Sequence, residues 1–230
     1  MKFDKIHNKG QARLFKNHYL EYLTKTHPLV IWGMYLPLIV FLLYYSNVVK
    51  DLSLLELSAS FLGGVFFWTF FEYIMHRFVF HFMAENEKAK KIVYIMHGNH
   101  HEYPRDKERL FMPPVPSIIL ASVIFSVMFF LSKIVGVNDF VFSFFPGFML
   151  GYLMYGTMHY AIHAWNPPFK WMKPLWRNHH LHHYKQQERG FGVSSTLWDR
   201  VFGTMFDLNT EKEDKEKVGE LMFDSKKMVS

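Results

Sequence analysis

The chain has 230 residues, half of them apolar and 19% aromatic, yet its mean hydropathy is only -0.01, so apolar blocks must alternate with strongly polar ones. It has no Cys and 14 His, which excludes a disulfide framework, thiolate zinc sites, iron–sulfur clusters and cysteine nucleophiles. A net charge of +6 and a pI near 9.3 suit nucleic acid or an anionic membrane surface; the apolar blocks favour the membrane, and no nucleic-acid partner is expected.

Residues 1–28 are polar and predict a cytosolic N-terminal segment without a cleavable signal peptide. His7, His18 and His27 lie there without a pattern. No charge interrupts Leu29 to Ser46, and a helix of that length spans about 27 Å, close to a bilayer core of roughly 30 Å. A second block, 56–75, is broken after its first residue only by Glu72. A third, predicted as a helix over 115–135, follows prolines at 113 and 114. A fourth, 140–160, leads straight into His159. Soluble core helices seldom run this long without charge. The expected fold is an all-α integral membrane protein. Its four transmembrane helices form two hairpins, 29–75 and 115–158, with residues 76–114 and 164–206 outside the membrane blocks. The stretch 207–230 reads as a charged cytosolic tail without evident chemistry.

Lys and Arg set the orientation. Six lie in residues 1–28, seven in 76–114 and eleven in 164–230, while the connections 47–53 and 132–139 carry one each, Lys50 and Lys133. The positive-inside bias places both termini, the middle loop and the histidines on the cytoplasmic side. A bacterial inner membrane and an endoplasmic reticulum fit equally.

Eleven histidines fall in four clusters: HRFVFH (His76, His81), HGNHH (His97, His100, His101), HYAIH (His159, His163) and NHHLHH (His179, His180, His182, His183). Residues three and four apart share a helix face, so each H-x-x-H-H puts three imidazoles on one stripe, and His159/His163 is an i,i+4 pair. His76 and His81 would splay by about 140° on a regular helix, which predicts a bend between them. His180 falls off its stripe. That leaves ten ligand candidates: His76, His81, His97, His100, His101, His159, His163, His179, His182 and His183. Neutral imidazole suits Zn, Fe, Cu and Ni, and ten nitrogens exceed the coordination of one ion, so two metal ions are implied. A pH sensor needs no repeated H-x-x-H-H, and a metal transporter would place its ligands at mid-membrane.

The four boxes, with the flanks EYIMHRFVFH, HGNHHEYPRDKERLFMPP and HHYKQQERGFGVSSTLWDRVFGT, resemble the fatty acid hydroxylase (sterol desaturase-like) superfamily over about residues 20–206. The resemblance is greatest to the fatty acid 2-hydroxylases acting on sphingolipids. It implies an all-α four-helix membrane anchor under a cytosolic helical cap, 76–114 and 164–206, holding a histidine-rich dimetal site, one metal taking His76, His81, His97, His101 and His182, the other His100, His159, His163, His179 and His183. It also implies an O2-dependent hydroxylation of a membrane lipid or acyl substrate, at C2. Three departures stand out. Sphingolipid members often begin with a cytochrome b5 domain, for which 28 residues leave no room; a separate electron donor, cytochrome b5-like or ferredoxin-type, is expected. Where members carry an acidic residue after the Tyr of the third box, this chain has Gly156. His180 is an additional imidazole.

Iron is the expected working metal, with zinc able to occupy the site in a purified protein. An all-histidine dimetal site without thiolate is a poor structural zinc site but suits oxygen chemistry. Glu72, four residues before His76, is a candidate acceptor for the far N–H of a ligand imidazole, or else a helix-end residue reaching water. Glu102, Asp106, Glu188 and Asp199 are weaker candidates of the same kind. Trp165, Trp171 and Trp176 read either as headgroup-level anchors or as ordinary packing, and Gly190 and Gly192 as turn residues. The rival readings are a carotenoid ring hydroxylase, a lipid desaturase, and a membrane metal-binding or transport protein.

Overall fold

A computed structural model of the chain describes residues 6–207; all of the predicted tail but Asp207 lies outside the described residues. The helices are α1 (His18–Tyr22), α2 (Pro28–Val48), α3 (Leu54–Ile74), α4 (Glu87–Val93), α5 (Asn99–Glu102), α6 (Pro114–Ile134), α7 (Val141–Ala164), α8 (Lys173–Tyr184) and α9 (Leu197–Val201), with π-helical turns at Met75–Phe80 and Tyr94–Gly98. No strand occurs among the described residues. Four helical segments are long and apolar enough to cross a membrane: Pro28–Val48, Leu54–Phe80, Lys107–Ile134 and Asn138–Ala164. The fourth outruns its predicted end at 160 and carries both His159 and His163.

Local chemistry sets the helix ends. His27 Nδ1 accepts the Leu29 N–H and Pro28 opens α2, so this histidine is a cap. Ser53 and Glu56 exchange the two hydrogen bonds of a capping box at the start of α3. Asn166-Pro167-Pro168 follows the end of α7 and cannot continue it.

The chain divides into two compact units, and the apolar one comprises residues 15–70 and 108–157. In it α3 and α7 touch backbone to backbone: a Cβ on Gly64 would lie 2.0 Å from the Phe144 carbonyl oxygen, and one on Gly147 would lie 1.9 Å from that of Phe61. Two glycines, one on each helix, therefore permit the approach, as small residues do between membrane helices. Trp68 lies over Gly151 and packs edge-on against Phe148 and Tyr152. Tyr35 and Ser117 satisfy each other at 2.7 Å across α2 and α6. The two short connections meet in an ion pair, Lys50 to Asp139 at 2.8 Å. Much of α6 faces outward with Ile118, Ile119, Val123, Val127, Phe130 and Leu131 exposed, a surface water would penalise.

The other unit comprises, of the described residues, 6–14, 71–107 and 158–207. It holds all four histidine clusters. Helix α8 is its centre: Trp176, Asn178, His179, His180, Leu181, His182 and His183 are all buried. Trp176 donates its indole N–H to the Trp165 carbonyl at 2.7 Å and is 1% exposed, so it is a core residue and no headgroup anchor. Trp165 and Trp171 are exposed.

Candidate metal centre

Each histidine box is positioned by a specific piece of backbone. The helical segment does not end at His76 but runs on to Phe80. The chain leaves α3 through the π-turn Met75–Phe80, with His81 next to it as cap. A turn closed by i→i+5 bonds returns residue i+5 above residue i, and the two rings end 5.2 Å apart. His97 belongs to the second π-turn, where the Asn99 side-chain amide donates to the Tyr94 and Ile95 carbonyls at 3.0 and 2.8 Å. His100 and His101 follow on α5, His159 and His163 lie on the last turns of α7, and the remainder lie on α8.

These elements bring the ten candidates into two groups of five. His76, His81, His97, His101 and His182 form one; His100, His159, His163, His179 and His183 form the other. In each, one nitrogen per ring lies within 4.8 Å of the others. The H-x-x-H-H stripes are thus shared between the groups, His97 and His101 facing one way and His100 the other. The groups abut where the rings of His101 and His183 stack at 4.2 Å. His180 is buried but joins neither; its ring lies 6.1 Å from that of His163.

The spacing within each group fits a cation. In the first, Nε2 of His97 lies 3.1 Å from Nε2 of His76 and 3.0 Å from that of His101, and His81 and His182 face each other at 3.0 Å. In the second, Nε2 pairs stand at 2.8 Å (His159, His100), 2.9 Å (His179, His163) and 3.1 Å (His183, His179). Metal–nitrogen bonds of about 2.1 Å at right angles separate neighbouring ligand atoms by about 3.0 Å. His76 and His182 donate Nδ1–H to the carbonyls of Phe191 (2.6 Å) and Arg189 (2.7 Å). Their Nε2 lone pairs are therefore bare and aimed inward, a repulsive arrangement unless a cation sits among them. Protonation cannot relieve it cheaply. Burial, reinforced by neighbouring imidazoles, pushes His97, His100, His101, His179, His182 and His183 well below the ordinary histidine range, and His81 down to about 2. All are neutral near pH 7, the form a metal requires.

The outer contacts converge on the segment after α8. Glu72, buried, accepts the Val193 and Ser194 N–H groups at 3.3 and 2.9 Å and the Ser194 hydroxyl at 2.7 Å. The far nitrogen of His76 goes to the Phe191 carbonyl. Asp199, fully buried, accepts the Phe191 and Gly192 N–H groups at 3.0 and 2.8 Å and the Thr204 hydroxyl at 2.7 Å. Burial raises its carboxyl and these hydrogen bonds oppose the shift. Tyr73 bonds Thr204 at 2.9 Å and receives a guanidinium N–H of Arg77 at 2.8 Å. Gly190 adopts φ +71, and a Cβ on Gly192 would meet the Ser195 carbonyl oxygen at 2.1 Å, so both glycines are required by the turn. Of the remaining carboxylates, Asp106 accepts from Gln11 and Glu102 from the Tyr94 hydroxyl, while Glu188 is exposed. Gly156 has the ring of Phe111 against it, 2.3 Å from where a Cβ would stand, so an aromatic ring fills the space an acidic side chain would need.

Sequence reasoning missed Asn99, Tyr73, Thr204 and the carbonyls of Arg189 and Phe191. Backbone acceptors carry no side-chain signature; the only trace was the pair of glycines flanking Phe191.

Comparison with known proteins agrees with the boxes. The family model described as fatty acid hydroxylase matches residues 61–204. The dihydroceramide fatty acyl 2-hydroxylase of Arabidopsis thaliana is 36% identical over 87% of this chain and 82% of its own length. The ceramide very long chain fatty acid hydroxylase of Saccharomyces cerevisiae is 39% identical over 87% of this chain and 52% of its own, and the human fatty acid 2-hydroxylase 32% over 84% and 56%. The chain thus spans about half the length of the latter two. Among solved structures, full-length Scs7p, with only its hydroxylase domain visible, superposes with a TM-score of 0.78 at 38% identity, over 86% of this chain and 74% of that one. A family match across more than half of the chain, with relatives above 30% identity along most of it, means that this chain belongs to the fatty acid hydroxylase family.

Proposed function

We propose that the two five-histidine groups hold two metal ions, iron in the working enzyme, and that the enzyme hydroxylates C2 of a long acyl chain on a free fatty acid, an acyl thioester or a ceramide-like lipid. The observation that carries this is the convergence of ten buried histidines, with inward nitrogens about 3 Å apart, in a chain of the fatty acid hydroxylase family. Relatives named as 2-hydroxylases of fatty acids and dihydroceramides support the position attacked. Zinc is expected to compete for the same nitrogens.

The bound metals supply the oxidising power: with O2, two electrons and two protons, a C–H bond becomes C–OH and one water is released. The chain does the rest. Burial keeps the imidazoles neutral and bulk water away. Carbonyls of Phe191 and Arg189 hold His76 and His182 with Nε2 inward. His76, His159 and His163 lie in the last turns of membrane-length segments, so a lipid whose tail stays in the bilayer would offer its carbonyl end and the adjacent methylene. That favours C2 over the chain terminus. In this reading the four segments span the membrane, residues 76–114 and 164–206 form a cytoplasmic cap, and electrons come from a separate donor; the Lys and Arg distribution supports the orientation.

The test is turnover by the purified protein with Fe(II), a reductant system, labelled dioxygen and a lipid panel. The expected product is one oxygen heavier at C2 and carries the label. A product two hydrogens lighter means a desaturase, and oxygen on a carotenoid ring a different hydroxylase. Bound metal without substrate-dependent oxygen consumption means a metal-binding or transport protein.

A further inference from the structure

The two histidine groups are supported differently. The segment from Arg189 to Ser194 gives its carbonyls to His76 and His182, both of the first group. The segment reaches no ligand of the second group by a hydrogen bond, and Nδ1 of His179 and His183 there, like Nδ1 of His101 in the first group, is buried without a hydrogen bond among the described residues. The segment itself is held from behind by two buried carboxylates. Asp199 takes the N–H groups of Phe191 and Gly192, so it grips the residue whose carbonyl holds His76. Glu72 takes those of Val193 and Ser194, just beyond. Asp199 is fixed in turn by Thr204, which bonds Tyr73. None of these side chains needs to touch a metal. Each acts by fixing where a carbonyl oxygen points, and that oxygen fixes an imidazole's tautomer and aim.

We infer that Asp199, assisted by Glu72, is a positioning residue for one metal only: it preorganises the 189–194 segment that orients the first histidine group, and the second group binds its metal without it. The inference rests on the two-metal reading above. It predicts two classes of site in one protein, one dependent on the carboxylate-braced turn and one independent of it.

The experiment is metal content per chain of the full-length protein, purified in detergent and checked for a single folded species. Wild type is expected to hold two metals and Asp199→Ala about one. The double variants say which. Asp199→Ala with His182→Ala should lose nothing further, because both changes strike the first group. Asp199→Ala with His183→Ala should lose all metal. Asp199→Asn keeps the side chain's size and one acceptor oxygen, so it should fall between one and two. If Asp199→Ala does not fold, Asp199→Asn decides: its loss must add to that of His183→Ala and not to that of His182→Ala. Two metals retained in Asp199→Ala, or equal loss from both groups, would overturn the inference while leaving the metal centre intact. A folded wild type without metal would overturn the metal reading and this inference with it.

Discussion

His180 and His182 are two residues apart on α8 and both buried, yet only His182 joins a five-nitrogen group. His180→Ala should keep full metal content and cost about 1–3 kcal/mol of stability through the lost buried side chain. His182→Ala should lose about one metal per chain; metal analysis beside a melting curve separates the two effects. Protons should act on all these residues in the same direction. The buried histidines outside the apolar spans have lowered values when folded, against about 6.5 when unfolded. The unfolded chain therefore binds more protons below that value. Stability is fully present above about pH 6.5 and falls steadily as the pH drops beneath it. Bound metal, which competes with protons, strengthens the same trend. The expected result is a declining melting temperature and falling metal content between about pH 7 and pH 5, with little change between about pH 7 and pH 8. A flat profile through that acid range would contradict the burial of neutral imidazoles.

At the level of elements, the π-turn Met75–Phe80 matters most, because it alone lets His76 and His81 share a face. Inserting one alanine after Val79 should rotate His81 away from His76 and empty the first group, with helix content by circular dichroism almost unchanged. Retention of both metals would show that the turn is dispensable. The α3–α7 contact gives a sharper comparison between adjacent glycines. A Cβ on Gly64 meets backbone at 2.0 Å, where nothing flexible can yield, whereas one on Gly63 lies 3.7 Å from the Phe144 ring. Gly64→Ala should prevent recovery of folded protein. Gly63→Ala should be neutral or slightly stabilising, since alanine is favoured over glycine within a helix by up to about 1 kcal/mol. Thermal aggregation of the solubilised variants reads the difference.

For the whole molecule, the Lys and Arg distribution predicts the topology. The chain has no Cys, so single cysteines report sidedness without background. A Cys at Val49 and one at Glu85 should label from opposite faces of sealed vesicles, Glu85 from the cytoplasmic face. Labelling of both from one side would break the two-hairpin reading. The Lys50–Asp139 ion pair joins the two short connections, and its near-neutral balance fits the side that carries little net positive charge.

How much could be read from the residues alone follows from the range of the forces involved. Length and apolarity of four segments, box spacing and the absence of Cys are local properties of the chain; they were enough for an all-helical fold, ten ligand candidates and exclusion of thiolate chemistry. The off-stripe position of His180 was equally legible, since helical periodicity depends only on sequence separation. Other features depend on groups far apart in sequence. The partition of His97 from His100, three residues apart on one stripe, depends on which partners the π-turn after α3, α7 and α8 deliver. Spacing alone left it open; only the family resemblance suggested it. The π-turn, the burial of Trp176, the Phe111 ring at Gly156 and the partners of Glu72 were likewise invisible, because each is decided by a neighbour from another segment. Sequence thus determined which atoms were available to bind a metal, while tertiary structure decided which of them face one another, since only packing brings nitrogens more than a hundred residues apart, such as those of His81 and His182, to 3.0 Å.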